Sequence, residues 1–303
     1  MSAKRKSVRA TEQRNPRTRG LDLLSTRNLL RALNREDEAV PRAVAAAIPE
    51  ISRAVETMAH ALNSGGHVFY VGAGTSGRLA TLDASELSPT FGVSPQKFQA
   101  VIAGGTRALT HAVEGAEDSP SLGAKDILAK RITTRDVVVG ITASGSTPYV
   151  LGALAAAKRK GAATIGITSN RKSPLARAVK ILIATNTGPE AITGSTRLKA
   201  GTAQKLVLNM LSTATMVRLG RVYDNWMIGV ALTNQKLRKR GQRILEEASG
   251  ASVSDVARAL RQAGHDPCAA LIMLKKKVSA AEAHRRLCAA NGNMRRAIGE
   301  FRK

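Results

Sequence analysis

His67-Val-Phe-Tyr-Val-Gly-Ala-Gly-Thr-Ser-Gly-Arg-Leu-Ala-Thr-Leu-Asp-Ala-Ser-Glu86 is the stretch whose reading decides the fold. It begins with an apolar run, Val68 to Val71, of the kind that a strand buried on both faces shows. The chain then turns through Gly72, Gly74 and Gly77, and Thr75 and Ser76 supply hydroxyls where a helix would begin. Backbone N–H groups at a helix start are unpaired and carry partial positive charge, so such a turn is a seat for an anion. No Gly-Lys-Ser/Thr follows, which excludes a P-loop. Gly72, Gly74 and Gly77 have the G-x-G-x-x-G spacing, which alone does not make a dinucleotide site. Taken alone, the stretch also fits a tight strand-to-helix turn with no ligand.

The pattern repeats along the chain. Short apolar runs at Ala100–Ala103, Asp136–Thr142, Ala163–Thr168 and Lys180–Ala184 read as strands. Helical stretches around Arg107–Glu114, Leu122–Arg131 and from the 143–148 loop to Lys160 fall between them. Strands alternating with helices at this spacing predict a parallel sheet covered on both faces, with ligands at the carboxyl ends of the strands. Ala143-Ser-Gly-Ser-Thr-Pro148 is a second hydroxyl-rich loop after a strand. Two such loops, at 72–77 and 143–148, strengthen the anion-site reading. Thr75, Ser76, Gly77, Ser144, Ser146 and Thr147 are the predicted substrate-binding residues.

Outside this core, residues 1–20 read as a basic, partly disordered tail. The 21–248 segment reads as an α/β domain that begins with helices, and 249–303 as a small domain of three helices. Thr26 is a candidate cap for a first helix. A longer helical stretch runs from Glu36 to about Asn63, split or kinked at Pro49. Ala203, Leu206, Val207, Met210, Leu211, Ala214 and Val217 form an apolar stripe on a long helix, suited to core or subunit packing. Asp266-Pro267 and Ser279-Ala-Ala-Glu282 are helix-start signals.

Composition narrows the function classes. Hydrophobic residues make up 43% of the 303, so the chain can build a core. Two cysteines, Cys268 and Cys288, lie far apart with no histidine at ligand spacing, which argues against a disulfide framework or a zinc site and fits a reducing compartment. No signal-peptide pattern and no run of about 18 apolar residues occurs, so the expected location is the cytoplasm, without a membrane span. The net charge is +25. Such a chain attracts anions generally. The 3% aromatic content leaves few stacking platforms for single strands. No convincing helix-turn-helix or other nucleic-acid motif is present, so a solvated basic surface is preferred over a nucleic-acid partner.

Longer motifs carry a resemblance. Thr11-Glu-Gln-Arg-Asn-Pro16, Gly72-Ala-Gly-Thr-Ser-Gly-Arg-Leu79 with Leu82-Asp-Ala-Ser-Glu86, Ala112-Val-Glu-Gly-Ala-Glu-Asp118 and Thr193-Gly-Ser-Thr-Arg-Leu-Lys-Ala-Gly-Thr-Ala-Gln-Lys205 closely resemble the N-acetylmuramic acid 6-phosphate etherase family of the sugar isomerase (SIS) superfamily. The likeness runs from about residue 11 to the end. It implies a three-layer α/β/α sandwich around a five-stranded parallel sheet, and a lyase that cleaves a lactyl ether during amino sugar recycling. It implies Glu86 as proton donor and Glu117 as the second active-site residue, with no cofactor and no metal. In three places the chain departs from the family pattern. Ser146 stands where many members have arginine, Ala80 where glycine is usual, and Leu87-Ser88 where Cys-Pro is usual. Arg78, Arg197 and Lys199 are the candidates to replace the lost charge.

The implied chemistry suits these residue types. An aldehyde at C1 of the opened sugar acidifies the C2 proton. A base removes it, and the oxygen on C3 leaves if an acid protonates it. Two carboxylates can serve if their surroundings separate their pKa values. Glu86 is the expected acid, and Glu117 the partner for proton abstraction or water activation; Glu114 competes in the same segment. On a straight helix, Glu86 would lie about 15 Å beyond the phosphate loop. Either the helix curls back early, or Glu86 serves a site in a second subunit of a homodimer. The alternative function is a non-catalytic phosphosugar sensor like the glucokinase regulatory protein, which carries two sandwich repeats. A nucleic-acid-binding regulator with a sugar-phosphate domain is the other alternative.

Overall fold

A computed structural model describes residues 10–232 and 234–300. The predicted tail therefore falls partly outside the described residues, at 1–9. The described residues divide into two compact units, one formed by those up to Ala84 with Phe98–Leu211, the other by Ser85–Lys97 with those from Ser212 onward.

The first unit begins with three helices, α1 (Thr26–Asp37), α2 (Ala39–Ala45) and α3 (Ile48–Asn63). The break before α3 puts Pro49 in that helix's first turn, where a missing N–H costs nothing. Then β1 (Val68–Gly72), α4 (Gly74–Phe91), β2 (Phe98–Ile102), α5 (Pro120–Leu128), β3 (Val137–Ile141), α6 (Pro148–Arg159), β4 (Ala163–Thr168), α7 (Pro174–Ala178), β5 (Ile181–Ala184) and α8 (Lys199–Arg218) follow. The chain adopts the expected α/β arrangement, a five-stranded parallel sheet in the order β2-β1-β3-β4-β5 with helices against it. Every residue of β1 and β3 is buried, as their unbroken apolar runs require. The strand order reverses direction between β1 and β3, which makes their carboxyl ends a topological switch point.

One element departs from expectation for a visible reason. The helix expected at Arg107–Glu114 is only a 3-10 turn, Gly105–Leu109. The carbonyls of Ala108, Leu109 and His111, which a helix would have used, accept instead from the Arg78 guanidinium at 2.9, 3.2 and 3.0 Å. α4 does not curl back early but continues as one helix to Phe91. Pro89 sits in its last turn, where its missing N–H removes a single bond of the helix ladder. α5 and α6 approach very closely. A Cβ on Gly123 would lie 2.0 Å from the Tyr149 carbonyl oxygen, and one on Gly152 2.0 Å from that of Pro120. Only glycine fits at either point.

A buried ionic cluster ties the N-terminal segment to the start of α8. Glu36, 3% exposed, accepts from Asn15 Nδ2 at 2.8 Å, from Arg17 Nε and Nη2 at 2.6 and 2.9 Å, and from Lys199 Nζ at 2.6 Å. Lys199 is fully buried. The buried Glu190 caps α8, accepting from the backbone N–H groups of Lys199 and Ala200 at 2.9 Å each. Asn15 and Thr18 also donate to the carbonyls of Pro189 and Ala191. Residues 15–18 are thereby strapped along the 186–198 loop.

The second unit contains α9 (Gln235–Ser249), α10 (Val253–Gln262), α11 (Pro267–Lys276), α12 (Ala280–Ala289) and α13 (Met294–Ile298). Beyond residue 249 there are four helices where three were expected, because Asn293, after the glycine joint, caps a further short one. Asp266 accepts from the N–H groups of Cys268 and Ala269, and Ser279 from that of Glu282, as the start signals predict. No helix among the described residues is long and apolar enough to cross a membrane.

The hydrogen bonds of Arg17 chiefly, with those of Lys199 and Asn15, hold the Glu36 carboxyl at about 2, against the opposite effect of burial. An acid lowered on folding contributes stability above its unfolded-state pKa and loses it as the pH falls toward the folded value. Glu36→Gln is expected to cost about 3–5 kcal/mol at neutral pH, because it leaves the Lys199 ammonium buried without its counter-charge. Urea melts should show that gap constant near pH 7 and closing as the pH falls from 4.5 toward about 2.

Candidate functional site

The turn after β1 and the turn after β3 end at the same level of the sheet, since Gly72 pairs with Ile141. A cavity of about 480 Å³ opens there, within the first unit. On one wall it has Gly74, Thr75 and Ser76, on another Thr142, Ser144, Ser146 and Thr147, with Glu117 and Asp118 beside them. Glu12, Gly194 and Thr196 complete it.

Local sequence explains each wall. Gly77 lets α4 start directly under the sheet edge: a Cβ there would meet Ile102 Cγ1 at 2.5 Å and the Gly72 oxygen at 2.9 Å. The Gly77 amide donates to the Ala73 carbonyl at 3.2 Å, and Gly77 does not line the cavity. Ser76 Oγ, almost fully buried, donates to Gln204 Oε1 at 2.9 Å. In the second loop the hydroxyls form a relay. Thr147 Oγ1 lies 2.7 Å from Thr142 Oγ1, which is 3.4 Å from Ser144 Oγ, which is 3.0 Å from Ser146 Oγ. Thr147 is the residue before α6, yet its side chain does not cap that helix. α4 starts at the cavity, whereas α6 begins there with Pro148, which has no N–H; one helix N-terminus with a hydroxyl relay suits a phosphate.

Glu117 is carried to the wall by backbone contact. Its carbonyl accepts from the N–H of Tyr149 in the first turn of α6, at 3.0 Å. The glycine-to-backbone approaches between α5 and α6 make that contact possible. Its carboxylate is exposed and forms no ion pair among the described residues. Glu86 is elsewhere. It lies ten residues beyond Ser76 on the uninterrupted α4, about 15 Å of helix rise. It is exposed, belongs to the segment 85–97 of the second unit and is not among the lining residues. Thus Thr75, Ser76, Ser144, Ser146, Thr147 and Glu117 share one cavity, while Gly77 and Glu86 do not line it.

The candidates to replace the lost arginine are engaged otherwise. Lys199 is buried against Glu36, and Arg78 holds the 108–111 carbonyls. Arg197 is exposed and does not line the cavity. Sequence reasoning passed over Glu12 as a wall residue; its only signal was its place in Thr11-Glu-Gln-Arg-Asn-Pro16. Among the described residues no group of three or more His, Cys, Asp or Glu side chains could hold a metal ion.

Comparison with known proteins follows the same lines. The SIS domain family model matches residues 119–214, and that of the glucokinase regulatory protein N-terminal SIS domain matches 50–158. The chain is 50% identical over 288 residues to an N-acetylmuramic acid 6-phosphate etherase of Serratia proteamaculans, covering 95% of this chain and 97% of that one. It is 47% identical over 289 residues to the enzyme of the same name from Geobacillus thermodenitrificans, covering 95% and 98%. A solved structure from Bacteroides fragilis, described as a phosphosugar isomerase involved in capsule formation, superposes with a TM-score of 0.50 at 20% identity, over 68% of this chain and 97% of that one. That is a likeness of fold.

A hydrogen bond to a charged group contributes about 1.5–3 kcal/mol. Removing the centre of the relay in Ser144→Ala is therefore expected to weaken binding of inorganic phosphate about tenfold or more, measured by calorimetry. Wild-type affinity in both Ser144→Ala and Thr75→Val would mean that the anion sits elsewhere.

Proposed function

The chain belongs to the N-acetylmuramic acid 6-phosphate etherase family, and from that membership we propose that it is a carbon–oxygen lyase. It cleaves the D-lactyl ether of N-acetylmuramic acid 6-phosphate to N-acetylglucosamine 6-phosphate and D-lactate, in the recycling of cell-wall amino sugars in the cytoplasm. The observation that carries this reading is the single cavity in which Glu117 adjoins the start of α4 and the hydroxyls of both loops. The 6-phosphate is held by Thr75, Ser76, Ser144, Ser146 and Thr147, which leaves the sugar beside Glu117. In the opened sugar a base takes the C2 proton, the C3–O bond breaks, and an acid protonates the departing lactate oxygen. Water then adds across the C2–C3 double bond, its hydroxyl going to C3 and a proton to C2. The balance is one water consumed and one lactate released.

Glu86 is the acid of this scheme and Glu117 its partner. Because α4 carries Glu86 away from the phosphate loop without curling back, the acid at each cavity comes from a second copy of the chain. Apolar side chains left exposed on α8, Met210 at 39% and Val217 at 48%, are suited to such a homodimer. A second reading, a non-catalytic phosphosugar sensor, rests on the match of residues 50–158 to the glucokinase regulatory protein domain. Incubation with N-acetylmuramic acid 6-phosphate and a D-lactate assay decides between them, and absence of lactate would favour the sensor.

General acid–base catalysis contributes roughly a hundred- to ten-thousand-fold. Glu86→Gln and Glu117→Gln should each slow lactate release by about that much while retaining substrate binding. Glu117→Gln should still exchange the C2 proton with deuterium if its role is only to activate water. Co-refolding the two variants tests the shared site. A mixed dimer has one cavity with both glutamates intact, so random pairing should restore about a quarter of wild-type activity by the statistics of closed dimers. No recovery would mean that both glutamates come from one chain.

A further inference from the structure

A second, smaller cavity of about 180 Å³ adjoins the first through Ala73, Gly74 and Glu117, which line both. We infer that this side cavity is the seat of the substrate's lactyl group, with Arg78 and His111 receiving its carboxylate and the flanking alanines and valine its methyl. The inference rests on the etherase reading and adds a subsite to it.

Charge is the first reason. The Arg78 guanidinium is half-buried, and its partners are three backbone carbonyl oxygens. No carboxylate forms an ion pair with it among the described residues. A guanidinium has five N–H donors and is always protonated. Nη1 and one N–H of Nη2 are left over after those bonds, and the positive charge is uncompensated. His111 uses only Nδ1, against Thr110 Oγ1 at 2.8 Å, which leaves Nε2 for a ligand. Both residues line the side cavity and neither lines the larger one. The carboxylates on its wall, Glu114 and Glu117, are exposed to solvent, where their repulsion of an anion is screened.

Shape and position are the second reason. Ala108, Ala112 and Val113 present small apolar groups. The volume equals that of about six waters at ~30 Å³ each. That accommodates the five heavy atoms of the lactyl substituent and is too small for the phosphosugar itself. The substrate carries two anions, a phosphate on C6 and a carboxylate on the C3 substituent, at opposite ends of the sugar. The structure offers one anion seat in each cavity. Glu117 stands at their junction, where the C2–C3 edge would lie, so the bond to be broken passes from one cavity to the other beside it.

The test compares two sugars that differ only in the lactyl group. Kd values for N-acetylmuramic acid 6-phosphate and N-acetylglucosamine 6-phosphate are measured by calorimetry, in a Glu86→Gln background so that substrate persists. His111→Ala, Ala112→Phe and Arg78→Lys are the variants. Arg78→Lys alters a residue that also holds its loop, whereas His111 and Ala112 are exposed, so those two carry the test if it misfolds. The expected result is at least tenfold weaker binding of the lactyl sugar, with binding of the lactyl-free sugar within twofold of the parent. Equal weakening of both sugars would put the acetamido group or the ring in the side cavity and overturn the inference. Unchanged binding of both in His111→Ala and Ala112→Phe would overturn it as well. Lactate release by the unmodified enzyme is assayed separately. Its absence overturns the proposed reaction, while the two-sugar comparison still reads the subsite.

Discussion

The register of β1 against β3 is the constraint on which the rest of this molecule depends. Gly72 lies opposite Ile141, so both strands deliver their loops to the same edge of the sheet. Displacing one strand along the other would separate the two hydroxyl loops and the two helix starts that share the cavity. The register is protected by burial. Both strands are covered on each face, and a one-residue slip would exchange which side chains meet which helix layer. Close backbone contact at Gly77 then starts α4 immediately beneath the strand end. The site is thus built largely from main chain, and the hydroxyls are added to a geometry that the sheet imposes.

Arginine and lysine have divided roles in a chain with a charge of +25. Lys199 is wholly internal, and its ammonium is neutralised by Glu36, which Arg17 and Asn15 also grip. This cluster orders the segment that brings Glu12 to the cavity and the loop that brings Gly194 and Thr196. Arg78 is an organiser of a different kind, since it draws three carbonyls out of a would-be helix into a loop. The donors it uses go to neutral oxygens, so its charge stays available to an anion. The larger cavity, by contrast, is lined by hydroxyls and the start of α4 and by no lysine or arginine. That is the condition under which Ser146 can stand where an arginine is common in the family.

Much of this was legible in the sequence, and the reason is local in each case. The unbroken apolar runs at 68–71 and 137–141 could be only strands covered on both sides, and the glycine and hydroxyl turns after them could be only helix entries. Asp266-Pro267 and Ser279 announced helix starts because a capping side chain needs only neighbours two or three residues away. The helix expected at 107–114 was misread because its carbonyls are claimed by a side chain about 30 residues earlier, which no local pattern records.

By itself the sequence determined the sheet, its two hydroxyl loops and the family, because each is written in contiguous motifs or in short-range periodicity. Tertiary structure decided what each of those residues touches. It brought Glu117 to the cavity between the two hydroxyl loops through the contact of its carbonyl with Tyr149 in α6, and it kept α4 continuous to Phe91. It buried Lys199, engaged Arg78, and divided the binding space into two cavities that meet at Glu117. These outcomes depend on packing between segments distant in the chain. Burial and charge pairing are properties of a place in the fold, and the side chain's identity does not contain them.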